Sequence, residues 1–219
     1  MKAEFWQELW ESEQTGFHEG QVNRMLLKYG ELLNLKENSR VLLPLCGKTH
    51  DIFYFLGKGH HVIGVELYEP AITALFEALK VKPNISREGA FTLYRATNLT
   101  IYVGDFFTIT KAELENIDAI YDRAALVALP EAMRRKYSEH LNAITNAASQ
   151  LLICFEYEQS QMEGPPFSVS ADMVTSYYGN SHKIELQARQ LVMGGLKGLD
   201  EAVESVWLLN SLNSEKSVC

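Results

Sequence analysis

The sequence predicts an α/β sandwich: a mostly parallel sheet with helices on both faces, ending in an antiparallel hairpin. Three observations predict it. Short apolar runs alternate with stretches of helical spacing along most of the 219 residues. The runs are continuously hydrophobic, as strands buried on both faces must be. The last two, HKIELQARQLVM and DEAVESVWLLNS, flank the glycines of MGGLKGL with no helix-length spacer, the pattern of a hairpin.

The chain opens with aromatic residues and a Thr15-Gly16 break, after which Val22, Met25, Leu26, Tyr29, Leu32 and Leu33 recur at helical spacing. RVLLPLC, from Arg40, reads as the first strand, HDIFYFLGKG as a helix closed by Gly57 and Gly59, and HHVIGVEL as the second strand. PAITALFEALK then predicts a helix, LTIYVGDFF a third strand, and IDAIYDRAALVAL a fourth strand leaving into a loop. EAMRRKYSEHLNAITNAAS is a helix, SQLLICFEYE a strand and VSADMVTSYYG a helix before the final hairpin.

No repeat, low-complexity tract or Pro/Gly/Ser linker divides the chain, so one domain over 1–219 is expected, with 1–35 forming an N-terminal lid and helix. Twenty Lys and Arg face 28 Asp and Glu, and the overall field opposes a nucleic-acid partner. The one basic cluster, Arg134-Arg135-Lys136, reads as the solvated face of a helix. MKAEFWQELWESE lacks the basic start and apolar core of a signal peptide, and no apolar run nears the roughly 18 residues of a membrane span. Cys46, Cys154 and Cys219 are odd in number and scattered, which argues for a reducing compartment; a cytoplasmic monomer is expected.

In an open sheet of this kind ligands lie beyond the carboxyl ends of the central strands. After the first strand comes LPLCGKTH, whose GKT resembles the end of a phosphate loop. Such a loop needs Gly five positions before the Gly-Lys pair, and Leu42 stands there. A dinucleotide fingerprint needs three glycines, and this loop has one. Glu66, roughly twenty residues beyond the turn, is nevertheless placed to accept hydrogen bonds from ribose hydroxyls. Ribose without pyrophosphate points to S-adenosyl-L-methionine. Asp105 and Phe106, after the third strand, would supply a polar contact and an apolar wall for the adenine, and Asp122-Arg123 follows the fourth strand at the same crevice.

Plainer readings stand beside these. Asp105 would also serve as a helix cap, Asp122-Arg123 as a local ion pair, and Cys46 as a small buried apolar residue. Cys46/His50 and His60-His61 lack the usual ligand spacings, so no metal is expected. Phe5, Trp6, Trp10 and Phe17 either cap the sheet or form a lid whose π faces suit a sulfonium cation.

FWQELWESEQTGFHE, VLLPLCGKTHDIFYFLGKGHHVIGVEL, YDRAALVAL and GPPFSV, in this order, resemble the thiopurine S-methyltransferase family, in particular its shorter bacterial members. The resemblance runs from about Glu4 to Leu209. It implies the seven-stranded, Rossmann-like class I methyltransferase fold and S-adenosyl-L-methionine-dependent methylation of sulfur in aromatic and heterocyclic thiols, with S-adenosyl-L-homocysteine as product. By the same resemblance Trp10 and Leu45 contact the cofactor, Glu66 holds its ribose, and Asp105 with Phe106 borders the adenine. Arg123 lies between cofactor and acceptor as the catalytic residue, Phe17 walls the acceptor pocket, and Gly47 has a backbone role. Two positions depart from the pattern: Ala124 replaces a glycine in DRAALVA, and LVMGGLKGL leaves Lys197 as the one basic residue where larger members place several.

A fixed cation lowers a neighbouring thiol's pKa, and the thiolate is the nucleophile, which gives Arg123 its expected role. The rivals are methylation of a small inorganic nucleophile (a selenium or tellurium oxyanion, halide or thiocyanate), a non-catalytic nucleoside-binding protein, and an NAD-dependent oxidoreductase, the last disfavoured by the missing glycines.

Overall fold

The computed structural model describes residues 19–213. Among them nine strands are described: β1 (Arg40–Pro44), β2 (His61–Glu66), β3 (Asn84–Glu88), β4 (Phe91–Ala96), β5 (Leu99–Val103), β6 (Ala119–Arg123), β7 (Ser149–Glu156), β8 (His182–Leu191) and β9 (Val203–Ser211). They form one sheet in the order β3-β4-β5-β2-β1-β6-β7-β9-β8. The five strands from β5 to β7 are parallel, and β9 and β8 follow antiparallel, as the glycine-linked hairpin requires. The helices are α1 (Arg24–Tyr29), α2 (Asp51–Gly57), α3 (Glu69–Leu79), α4 (Lys111–Leu114), α5 (Glu131–Thr145) and α6 (Ala171–Tyr178).

Seven strands are those that the alternation and the hairpin predict. The antiparallel pair β3 and β4 extends the sheet beyond β5. Its outer strand, NISRE, is almost wholly solvated, so it has no apolar face to mark it, and Arg95 pairs with Glu88 across the edge. Gly89, at φ +58°, makes the turn between the two.

Alternation within each strand divides the core. Val41 and Leu43 of β1 pack with Val62, Leu151 and Ile153 against Met25, Leu26, Phe55 and Leu75. Leu42 points the other way, with Ile63, Ile120 and Leu152, against Tyr137, Leu141 and Trp207. Each fully buried aliphatic or aromatic side chain contributes about 1.5–3 kcal/mol relative to exposure.

Two local expectations are corrected. The N-terminal helix tightens to a 3-10 turn over Gly30–Leu33, which leaves Leu32 exposed at 41%. Gly30 lies under Tyr54, whose hydroxyl would sit 2.6 Å from a Cβ there. Arg134 is not on a solvated face: it is 2% exposed, donating from Nε to the Leu129 carbonyl at 2.8 Å and from Nη1 to that of Ser168 at 2.9 Å. No helix among the described residues is long and apolar enough to cross a membrane.

The order of β1, β2 and β5 to one side and β6, β7 to the other puts the topological switch between β1 and β6. A crevice at the carboxyl ends of those strands follows from that reversal.

Candidate active site

The turn after β1 is organised by one carboxylate. Cys46 N–H donates to the Val65 carbonyl at 3.1 Å, carrying the β1–β2 pairing two residues past the strand. Gly47, at φ +51°, then turns its N–H onto Glu66 Oε2 at 2.8 Å. Glu66 Oε1 accepts from the N–H groups of Leu67 and Tyr68, both at 2.8 Å. Burial pushes the Glu66 carboxyl above the usual range, and the amides of Tyr68, Gly47 and Leu67 oppose that shift by stabilising the anion.

Leu45, between strand and glycine, has φ +47°, a left-handed conformation costly for a bulky L residue and characteristic of functional turns. Cys46 is buried beside Gly64, where a Cβ would come within 2.8 Å of its sulfur. Burial, and secondarily the charge of Glu66, raise its thiol well above the ordinary value, so it is a packed small residue and no nucleophile. Thr49 of the GKT triplet accepts the Asp51 N–H at 3.2 Å and so helps to start α2.

At the end of β5, Asp105 is exposed and its Oδ1 accepts the Phe107 N–H at 2.9 Å, capping the short turn Phe106–Thr108. The Phe106 ring does not line the crevice. It is 2% exposed and packs on Tyr137, Phe107 and His140, so at this position only the main chain and Phe107 are near the surface.

At the end of β6, Asp122 and Arg123 point to opposite faces, as alternate strand residues do. Asp122 is fully buried, accepting from Tyr137 Oη at 2.7 Å, the Leu126 N–H at 3.1 Å and Gln150 Nε2 at 3.3 Å. Burial raises its carboxyl from 3.8 to about 6. It does not pair with Arg123. The Arg123 guanidinium instead meets Glu19, Nη2 to Oε1 at 2.5 Å, with side-chain exposures of 10% and 40%. Ala124 follows at φ +61°, where the family pattern has glycine.

Glu19 is placed by a network that the sequence offers no motif for. Asn23 Nδ2 lies 3.3 Å from both Glu19 oxygens, and Asn23 N–H donates to Asp51 Oδ1 at 2.7 Å. Asp51 Oδ2 accepts from Tyr121 Oη at 3.0 Å, and Tyr121 stands two residues before Arg123 on β6. Beside this ring Arg24 pairs with Glu204 of β9 at 3.0 Å.

Two of the quoted motifs meet in space. Phe167 N–H of GPPFSV donates to the Val127 carbonyl of DRAALVA at 2.7 Å, and the buried Arg134 guanidinium lies over the Phe167 ring. Lys197 donates to the Pro165 carbonyl at 2.7 Å, which ties the hairpin loop to the same segment. Trp10 and Phe17, like Phe5, Trp6 and Cys219, lie outside the described residues.

A family model described as thiopurine S-methyltransferase matches residues 1–211. Proteins named thiopurine S-methyltransferase are similar over nearly the whole chain: one from Teredinibacter turnerae (strain ATCC 39867 / T7901) is 48% identical, covering 98% of this chain and 100% of its own, and one from Xanthobacter autotrophicus (strain ATCC BAA-1158 / Py2) is 46% identical, covering 95% and 99%. In fold the chain is similar to a Burkholderia thailandensis 1,6-didemethyltoxoflavin-N1-methyltransferase with bound S-adenosylhomocysteine (TM-score 0.63, 14% identity, 95% and 86% of the two chains). A TehB-like SAM-dependent methyltransferase from Corynebacterium glutamicum is similar too (TM-score 0.56, 14% identity, 95% and 97%). These two likenesses establish the class I methyltransferase fold.

Proposed function

Because the chain belongs to the thiopurine S-methyltransferase family, we propose that it methylates the sulfur of an aromatic or heterocyclic thiol, such as a thiopurine, with S-adenosyl-L-methionine as donor and S-adenosyl-L-homocysteine as product. The observation that carries the reading is the Glu66 turn. An ionised carboxylate offers about four acceptor directions, and backbone N–H groups take three of those on Glu66. The remaining one suits a ribose hydroxyl, and a buried, preoriented acceptor of this kind fits a nucleoside without a pyrophosphate. When bound, S-adenosyl-L-methionine supplies an electrophilic methyl group on a sulfonium.

This chain's residues then have separate tasks. Glu66 orients the ribose, and Leu45 and Gly47 shape the turn beneath it. Asp105 presents an exposed carboxylate at the neighbouring strand end for the adenine side. Arg123, at the next strand end, favours the acceptor as thiolate, since a fixed guanidinium lowers the pKa of an adjacent thiol. Methyl transfer between sulfurs needs alignment more than a strong base, and holding the partners about 3–3.5 Å apart supplies several kcal/mol of the barrier.

The test is a calorimetric titration with S-adenosyl-L-homocysteine, followed by a screen of aromatic thiols, selenite and tellurite for methylation. Binding with turnover of the thiols supports the proposal. No binding overturns it, and turnover of the oxyanions alone transfers the function to an inorganic acceptor.

A further inference from the structure

The Glu19–Arg123 pair differs from an ordinary surface ion pair in how it is held. Its arginine is nine-tenths buried, and Glu19 is braced by Asn23, itself 2% exposed and anchored through Asp51 to Tyr121 of the strand that carries Arg123. The path from Arg123 through Glu19, Asn23, Asp51 and Tyr121 returns to β6, so neither partner moves without disturbing the others. Alongside it, Arg24 neutralises Glu204, which burial and the nearby Glu19 push up in pKa and Arg24 and Arg123 pull down. Among the described residues, each of the two guanidiniums at the end of β6 and the start of β9 is thus already paired with a carboxylate, and the Asp51 carboxylate lies in the same ring.

We propose that Glu19 is a positioning residue for Arg123 that sets the charge of the acceptor: the site takes a thiol carrying no anionic group beyond the reacting sulfur. The inference rests on the aromatic-thiol reading above. An acceptor with a second negative group must either bring a further anion against a guanidinium already paired, or expel Glu19 from a ring of hydrogen bonds in a partly desolvated place. A thiol of otherwise neutral substituents brings only the reacting thiolate. That single charge disappears when the methyl group is transferred from the sulfonium, so no acceptor charge faces the paired guanidinium at product.

The experiment measures binding, so that it does not depend on turnover. Calorimetry on protein saturated with S-adenosyl-L-homocysteine compares 4-(methylthio)benzamide with 4-(methylthio)benzoate, thioether probes of nearly equal shape that differ by one negative charge. In Glu19→Gln the benzoate is expected to bind about tenfold tighter, as a change of about 1.4 kcal/mol corresponds to, with the benzamide within about twofold. Glu19→Asp keeps the charge and should retain the wild-type preference for the benzamide, which separates a charge effect from loss of packing; thermal unfolding confirms that both variants are folded. An equal change for both probes, or no change for either, overturns the inference while leaving methyl transfer intact. Binding of neither probe by any of the proteins, with S-adenosyl-L-homocysteine still bound, overturns the aromatic-acceptor reading and the inference with it.

Discussion

Two strand ends face the same crevice, and they hold their charged residues by different means. Glu66, at the end of β2, is fixed by N–H groups of Gly47, Leu67 and Tyr68, two of which are the next two residues in sequence. Arg123, at the end of β6, is fixed by Glu19, 104 residues away in sequence. The proposed cofactor half is therefore wired into the main chain of one β-turn-α-β unit, whereas the proposed acceptor half is assembled from side chains that only the folded chain brings together. Main-chain donors cannot rotate away, which suits a part common to all turnovers. A side-chain pair is set by the identity of two residues, which suits the part that selects among acceptors.

The largest effect that would break this contrast is at Glu66. Glu66→Ala strands three N–H groups, and at about 1–3 kcal/mol for each unsatisfied donor a loss of about 4 kcal/mol in urea unfolding is expected. Where the variant remains folded, affinity for S-adenosyl-L-homocysteine should fall at least about tenfold. Unchanged affinity would remove the ribose assignment.

The second effect lies beneath Arg123. Asp122 has a folded pKa of about 6 against an ordinary 3.8, so between those values the folded chain binds more protons than the unfolded one. Stability therefore falls as pH rises from about 4 to about 6, by about 3 kcal/mol from this residue, and is flat above that. Urea titrations across this range should show a steeper fall in the wild type than in Asp122→Asn. Equal slopes in the two proteins would refute a buried, proton-binding Asp122.

A smaller effect separates the two halves directly. Arg123→Ala is expected to lower kcat with an aromatic thiol about tenfold, equivalent to about 1.4 kcal/mol of barrier, while S-adenosyl-L-homocysteine affinity stays within about threefold. Loss of cofactor affinity comparable to that of Glu66→Ala would mean that the halves are not separate. Smallest is Ala124→Gly. The left-handed backbone at φ +61° costs an L residue about 1–2 kcal/mol and glycine almost nothing, offset by the greater freedom of glycine in the unfolded chain. A net gain of about 0.5 kcal/mol, or about 1–2 °C in Tm, is expected; a lower Tm would show that the methyl group contributes packing beside Arg123.

The parallel core was legible because β1, β2, β5, β6 and β7 are buried on both faces and therefore continuously apolar. β3 was illegible for the opposite reason, since an edge strand reading NISRE buries little and needs no pattern. Arg134 was misread because helical periodicity separates faces but does not show that the GPPFSV segment would cover one of them. The refusal of the phosphate-loop reading could be made from Leu42 alone, and the structure adds that Thr49 serves the start of α2 and Gly47 the acid 19 residues further along the chain.

The sequence by itself determined the alternation of elements, the one-glycine turn and the acid at Glu66, because these depend on local spacing and on which residue types tolerate burial or a left-handed turn. The tertiary structure alone decided that the Phe106 ring packs into the core on Tyr137 and His140, that Asp122 is held by Tyr137 and Gln150, and that Glu19 holds the guanidinium. Each of those is a contact between residues distant in sequence, made when packing removes water from both partners, and no local pattern encodes it.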